Sequence, residues 1–227
     1  MVEVQFLSQV PIFAHLEPER LQLLTDKLRL RRYQRGEVIF HEGDAGDRLH
    51  IITKGNVKLS VSSEDGREKT IALFKPGECL GEMDLLDGSA RSATATAIDA
   101  VETLGLMRGD FLDVLAENPQ VAADITKLLT QRLLNVNQML ADAVFLDVPT
   151  RVAKQLLTLA GSKAGDAGPA GPRVVPLGHC ELASLVGAGR ETVSRALNSY
   201  RRMGILTTFP RRIVINDSKG LERMATL

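Results

Sequence analysis

A Gly-Glu pair, Gly81 and Glu82, stands ten residues ahead of an Arg-Ser pair, Arg91 and Ser92, in the stretch CLGEMDLLDGSARSATATA. Gly81 followed by Glu82, Met83 and Asp84 can open a helical turn directly after a strand. Backbone N–H groups converge there, and the helix dipole favours a negative ligand. Arg91 adds a charge-assisted hydrogen bond to a phosphate oxygen. Glu82 repels that same anion and needs a donor, such as a sugar hydroxyl. These residue types together fit a nucleotide whose phosphate and ribose lie side by side. A glutamate and an arginine could also belong to a hydrolytic site, but no nucleophile–base pair accompanies them. His15, His41, His50 and His179 are scattered singly and read as surface or partly buried side chains. Asp84 and Asp87 read as loop and first-turn acids stabilised by the helix start rather than as metal ligands.

A second constellation lies in PLGHCELASLVGAGRETVSRALNSYRRMGIL. A helix around Glu181 to Leu185, a glycine-containing turn and a helix from Arg190 to Arg201 make a helix-turn-helix. The apolar runs flanking Phe209-Pro210-Arg211-Arg212 read as a hairpin, which completes a winged helix-turn-helix. Arg190 and Ser194 share one face of the second helix and Glu191 and Arg195 the adjacent one, while Val193, Ala196 and Leu197 turn toward the core. Arginine can take both acceptors of guanine in the major groove and glutamate can accept from cytosine, each pair discriminating by about 1–3 kcal/mol. A plain surface salt bridge between Glu191 and Arg195 is the alternative, worth ~0.2–0.5 kcal/mol. Thr192, Arg211 and Arg212 suit backbone phosphates, which position a protein without reading sequence.

These groups need elements to hold them. From Arg31 to Met107 short β-rich runs alternate with Gly43, Gly46, Gly55, Gly66 and Gly77, the pattern of a small antiparallel barrel or roll. Short helices precede it, with Leu21, Leu24 and Leu28 at helical spacing. One long helix follows from about Gln120 to Phe145, roughly 26 residues against a usual ~11–12. Leu129, Leu133, Val136, Leu140 and Ala143 form a heptad-like seam along it, which two copies would bury against each other. The alternative is an amphipathic helix packed on its own domain. Pro149 ends the long helix by disfavouring helical geometry at Val148, and GDAGPAGPR, residues 165–173, reads as an exposed loop. The expected domains are residues 1–118, a β-roll; 119–147, a dimerisation helix and hinge; and 148–227, the winged helix-turn-helix.

Charge divides the same way. Residues 1–147 carry 16 Lys/Arg against 23 Asp/Glu and residues 148–227 carry 12 against 5, so a formal net charge of zero hides −7 followed by +7. Only the second part is suited to a polyanion. Cys79 and Cys180 have no C-x-x-C spacing, and no stretch of about 18 apolar residues exists. The expected compartment is the cytoplasm.

GRETVSRALN, FLDVPTRVAKQLLTLA and GEMDLLDGSARSA together resemble the Crp/Fnr family of bacterial transcription regulators, in its cyclic AMP receptor branch, over nearly the whole chain. The resemblance implies a cyclic-nucleotide-binding β-roll of jelly-roll type in an α+β chain, a homodimer, and a non-catalytic, allosteric role. Gly81, Glu82, Arg91 and Ser92 match the phosphate-binding cassette, with glutamate on the ribose hydroxyl and arginine and serine on the cyclic phosphate. Arg190, Glu191, Thr192, Val193 and Arg195 match the recognition-helix pattern, which implies GTGA-like half-sites in an inverted repeat of double-stranded DNA. RNA polymerase is the implied partner, its contact loop falling in residues 161–173. Family members offer a threonine and then serine or asparagine from the long helix to adenine. Those positions are Val136, which lacks the hydroxyl, and Asn137. The Fnr type needs an N-terminal cysteine cluster, absent from the first 78 residues; Cys79 and His50 are the only strand-region residues that could serve a haem, and Cys79 reads as core. The expectation is a homodimer switched by cyclic AMP, with domains rotating after Asp147. Its alternatives are a ligand-independent or differently liganded regulator with a vestigial pocket and, from another class, a nucleotide-hydrolysing enzyme.

Overall fold

The computed structural model describes residues 4–63, 66, 68–161 and 172–226. They belong to two compact units, Met1–Leu134 and Asn135–Leu227, divided inside the long helix.

The first unit opens with α1 (Val4–Leu7), a 3-10 turn (Pro11–Phe13) and α2 (Pro18–Lys27). Eight strands follow: β1 (Arg29–Tyr33), β2 (Val38–Phe40), β3 (Arg48–Lys54), β4 (Val57–Ser62), β5 (Glu68–Phe74), β6 (Cys79–Leu80), β7 (Thr94–Ala97) and β8 (Val101–Met107). They pair into two antiparallel four-stranded sheets, ordered β1-β8-β3-β6 and β2-β7-β4-β5, which is the expected roll. Alternation along β3 explains how one strand serves two cores. Leu49 and Ile51 pack with Leu104, Leu106 and the helical Leu7, Phe13 and Phe111. Ile52, pointing the other way, packs with Val57, Phe74, Leu80 and Val101. The short α3 (Glu82–Asp87) interrupts the strands between β6 and β7, and α4 (Arg108–Glu117) leads from β8 to α5 (Pro119–Phe145).

The long helix changes character along its length. Val121 and Ile125 are buried in the first core, with Leu128 and Leu129 packed against it. Beyond them Leu133, Val136, Leu140, Val144 and Phe145 are all more than half exposed. Packing on its own domain therefore accounts for the first part of the seam, Leu129 included, and not for Leu133, Val136, Leu140 or Ala143.

The second unit comprises the end of α5 with α6 (Val148–Gly161), β9 (Arg173–Val175), α7 (His179–Val186), α8 (Arg190–Arg202), β10 (Leu206–Phe209), β11 (Arg212–Ile215) and α9 (Ser218–Met224). Val193, Ala196, Leu197 and Tyr200 form the buried face of α8. The wing is a three-stranded sheet ordered β10-β11-β9, and not a hairpin alone. Arg173, expected in the loop, begins β9 and pairs with Ile215. Residues 162–171, which hold most of that loop and of the expected polymerase contact, lie outside the described residues. The closing helix α9 buries Leu221 and packs against α6.

Pro149 acts differently from expectation. It stands in the first turn of α6, whose first residue is Val148, rather than behind a non-helical residue. Proline suits that turn because the missing N–H would have had no helical partner. Asp147 caps the helix instead, its Oδ1 accepting from the Thr150 N–H at 2.9 Å. Hydrogen bonding by the Thr150 side chain, and by its backbone N–H, holds the Asp147 carboxyl below the usual carboxylate range. A lowered folded-state pKa stabilises above the unfolded value of ~3.9 and loses that stabilisation as pH falls through the folded value. Asp147→Ala is expected to lower unfolding free energy at neutral pH by about 1 kcal/mol, the usual cost of a lost N-cap. Urea denaturation checks this, and the gap from wild type should close as pH falls below ~4.

Candidate functional site

The chain leaves β6 at Leu80 and turns at Gly81, φ +83° and ψ 14°, into α3, whose start carries no side-chain cap. Glycine is required twice over. The left-handed backbone disfavours a side chain, and a Cβ here would lie 2.3 Å from Nη1 of Arg91. Arg91 is only 2% exposed. Its Nη1 donates to the Gly81 carbonyl at 3.0 Å and to Asp84 Oδ2 at 3.2 Å, and its Nη2 to the Arg48 carbonyl at 2.6 Å. The guanidinium lies over the Phe40 ring, 4.3 Å from its centroid. Asp84 is a first-turn acid as expected, and it is also buried and paired with Arg91.

Glu82 is 1% exposed and makes a short ion-paired hydrogen bond with Arg132 Nη1. Arg132 reaches in from α5, also donates from Nη2 to the Cys79 carbonyl at 2.6 Å, and covers the Phe74 ring at 4.9 Å. Burial pushes the Glu82 carboxyl up, with Arg132 the main opposing influence. The cleft between Phe40, Phe74, Glu82, Ser92 and Arg132 measures about 30 Å³. Arg132 lines this cleft together with the Glu82 it pairs with.

Two buried atoms of this site have no hydrogen-bond partner among the described residues: Glu82 Oε2, an acceptor, and Arg91 Nε, a donor. Such groups cost about 1–3 kcal/mol each when unsatisfied. They are what a hydroxyl and a phosphate oxygen would satisfy, so the residues present fit a sugar phosphate. Ser92 and half-exposed Met83 line the same cleft. Val136 and Asn137 are exposed on the part of α5 that belongs to the second unit.

His50 and Cys79, the strand residues that could serve a haem, are both buried. His50 is buried against Thr103, and burial, with Arg91 and Arg48 nearby, depresses its pKa to about 3. It is more deeply buried than expected. Burial pushes the Cys79 thiol up to about 12, so it is unreactive.

On α8, Arg190, Glu191 and Arg195 are exposed and Thr192 and Ser194 half-buried. The Arg195 guanidinium donates to Thr192 Oγ1 at 3.3 Å, so it is not held by Glu191. His179 of α7 hydrogen-bonds Ser194 Oγ at 3.1 Å and so joins the two helices of the motif. Arg211 and Arg212 are exposed at the tip of the wing, Arg212 lying over the Phe209 ring at 4.5 Å. Tyr200 Oη donates to the Pro149 carbonyl at 2.9 Å, tying α8 to the first turn of α6.

The cyclic nucleotide-binding domain family matches residues 30–118, and the Crp-like helix-turn-helix domain family matches residues 150–224. The CRP-like cAMP-activated global transcriptional regulator of Mycobacterium tuberculosis is 36% identical over 221 residues, 97% of this chain and 99% of that one. The chain belongs to the Crp/Fnr family. The Cyclic AMP receptor protein of Thermus thermophilus is likewise 36% identical, over 95% of this Crp/Fnr chain and 96% of its own. Among solved structures, the c-di-GMP responsive regulator CLP of Xanthomonas campestris shares the fold at a TM-score of 0.75. Its identity is 24%, covering 88% of this chain and 99% of that one. The protein is a Crp-like transcription regulator with a cyclic-nucleotide-binding domain and a DNA-binding helix-turn-helix. Its relatives and both its domains are those of regulators, not enzymes. Among the described residues no helix is long and apolar enough to cross a membrane.

The sequence reading of this Crp/Fnr chain missed Arg132 and the pairing of Asp84. Arg132 lies four residues before Val136 and hence on its face of the helix, and a buried Glu82 demanded a cation, but 50 residues separate the partners. Gly81→Ala is expected to displace Arg91 and lower the melting temperature by several degrees, as ~1–3 kcal/mol of backbone strain would. Thermal unfolding by circular dichroism checks it.

Proposed function

We propose that the protein is a homodimeric transcription regulator switched by a cyclic nucleotide, cyclic AMP, which binds at Gly81, Glu82, Met83, Arg91 and Ser92. The observation that carries the ligand reading is the pair of unsatisfied buried atoms, Glu82 Oε2 for a ribose hydroxyl and Arg91 Nε for a phosphate oxygen. The relatives named for cyclic AMP favour that nucleotide. Arg132 must swing off Glu82 and Phe74 to admit it, because a cavity of about 30 Å³ is far below the ~300 Å³ of a small-molecule site. Asn137 offers the adenine ring a side-chain amide, and Val136 a branched apolar surface.

The exposed apolar seam of Leu133, Val136 and Leu140, with Ala143, pairs the long helices of residues 119–147 in the dimer. Ligand acts only by binding the DNA-competent arrangement better than the alternative. In that arrangement the two α8 helices stand one DNA turn apart, ~34 Å. Arg190, Glu191, Ser194 and Arg195 read GTGA-like half-sites of an inverted repeat, while Thr192, Arg211 and Arg212 hold phosphates. Cytoplasmic location and contact with RNA polymerase belong to the same reading.

A second reading, DNA binding without ligand, is favoured by Val136, which lacks a hydroxyl for the base, and by the tight fit of Arg132 in the cleft. Fluorescence anisotropy on an inverted GTGA/TCAC repeat separates the two. The switch predicts that saturating cyclic AMP tightens binding at least ~5-fold, the lower end of usual allosteric coupling; unchanged affinity supports the second reading. Arg91→Ala should abolish the response while leaving the DNA affinity of the ligand-free protein unchanged. Arg195→Ala should relax preference at one base pair, losing about 1–3 kcal/mol of discrimination.

A further inference from the structure

Four buried or half-buried charges surround the cleft, and they already balance. Glu82 is paired with Arg132, and Asp84 with Arg91. The second pair is the more deeply buried, its side chains 6% and 1% exposed. Asp84 is also wedged from behind: a Cβ on Gly46 would lie 2.9 Å from the Asp84 Cβ, so the acid has little room to withdraw on that side.

We propose that Asp84 is a built-in competitor for Arg91, an internal anion that lowers the site's affinity for nucleotide phosphate. The inference rests on the nucleotide reading given above and concerns how tightly the same site binds. A cyclic phosphate diester carries one negative charge. Entering beside Arg91, it meets a guanidinium whose charge Asp84 has neutralised and whose Nη1 and Nη2 already donate to Gly81, Asp84 and Arg48. Among the described residues Nε is the guanidinium nitrogen with no partner at all, and Nη2 has given one of its two N–H groups to Arg48. Around Arg91 itself, wherever Arg132 goes, Asp84 and the phosphate then set two negative charges against one positive, and like charges a few ångström apart in a shielded position repel strongly. The rival role for Asp84 is to position Arg91 for the ligand, and it predicts the opposite sign.

Isothermal titration of the full-length protein with cyclic AMP distinguishes them. Asp84→Asn and the smaller Asp84→Ser should bind at least ~10-fold more tightly than wild type, while Asp84→Glu, which keeps the charge, should stay within about 3-fold of it. A second readout follows from leaving Arg91 buried without its counter-ion. Without nucleotide, Asp84→Asn should melt below wild type, and cyclic AMP should raise its melting temperature by more than it raises that of wild type. Equal or weaker binding by both Asn and Ser variants, with wild type binding normally, overturns the competitor role alone and makes Asp84 a positioning residue. If no form, wild type included, responds to cyclic AMP in heat or melting temperature, the nucleotide reading falls and this inference with it.

Discussion

Taking a carboxylate or a guanidinium out of water costs several kcal/mol per ion even after the protein relaxes around it. Glu82, Asp84 and Arg91 are nonetheless almost fully buried within ten residues of one another. The surrounding structure can be understood as what makes that tolerable. Three backbone carbonyls, of Arg48, Cys79 and Gly81, accept from the two arginines. Two aromatic faces, Phe40 and Phe74, carry their guanidinium planes, an arrangement worth about 0.5–2 kcal/mol each depending on desolvation. These supports come from β2, β3, β5, β6 and α5, so the site forms only when both sheets and the long helix are in place. A loop-borne cassette alone could not bury these groups.

How much of this was legible in the sequence follows the range over which each signal acts. The turn at Gly81, the roll, the long helix and the buried face of α8 are written in spacing and turn residues over a few positions, and they lie where that pattern puts them. The pairing of Glu82 with Arg132 spans 50 residues, and no periodicity encodes it. Asp84 was legible as a first-turn acid but not as a buried one, because its burial depends on Gly46 and Arg91 arriving from other segments. Pro149 departs from its short-range expectation by standing inside α6. The rule that the preceding residue avoids helical geometry lost to the tolerance of proline in a first turn, reinforced by the Asp147 cap. The third wing strand escaped because β9 is three residues long and follows a Gly/Pro-rich run.

In the second unit a few polar contacts converge on α6. Lys154 Nζ meets Asp142 Oδ1 of α5 at 2.6 Å, Asp147 caps the first turn, and Tyr200 of α8 bonds the Pro149 carbonyl. Burial raises the Tyr200 hydroxyl to about 12, so it stays a donor across the physiological range. The end of the long helix and the recognition helix are thus both fastened to one helix, and a displacement of α6 would be felt at both.

Gly81 and Arg91 also constrain what sequences can succeed here. A side chain at position 81 would need the space that Nη1 of Arg91 fills, while a shorter residue at 91 would leave the Gly81 and Arg48 carbonyls without their donor. Neither position can drift by itself without loss. Descendants that abandon this anion site would have to change both, and until both changed they would pass through a less stable intermediate, so the two residues are inherited as one character.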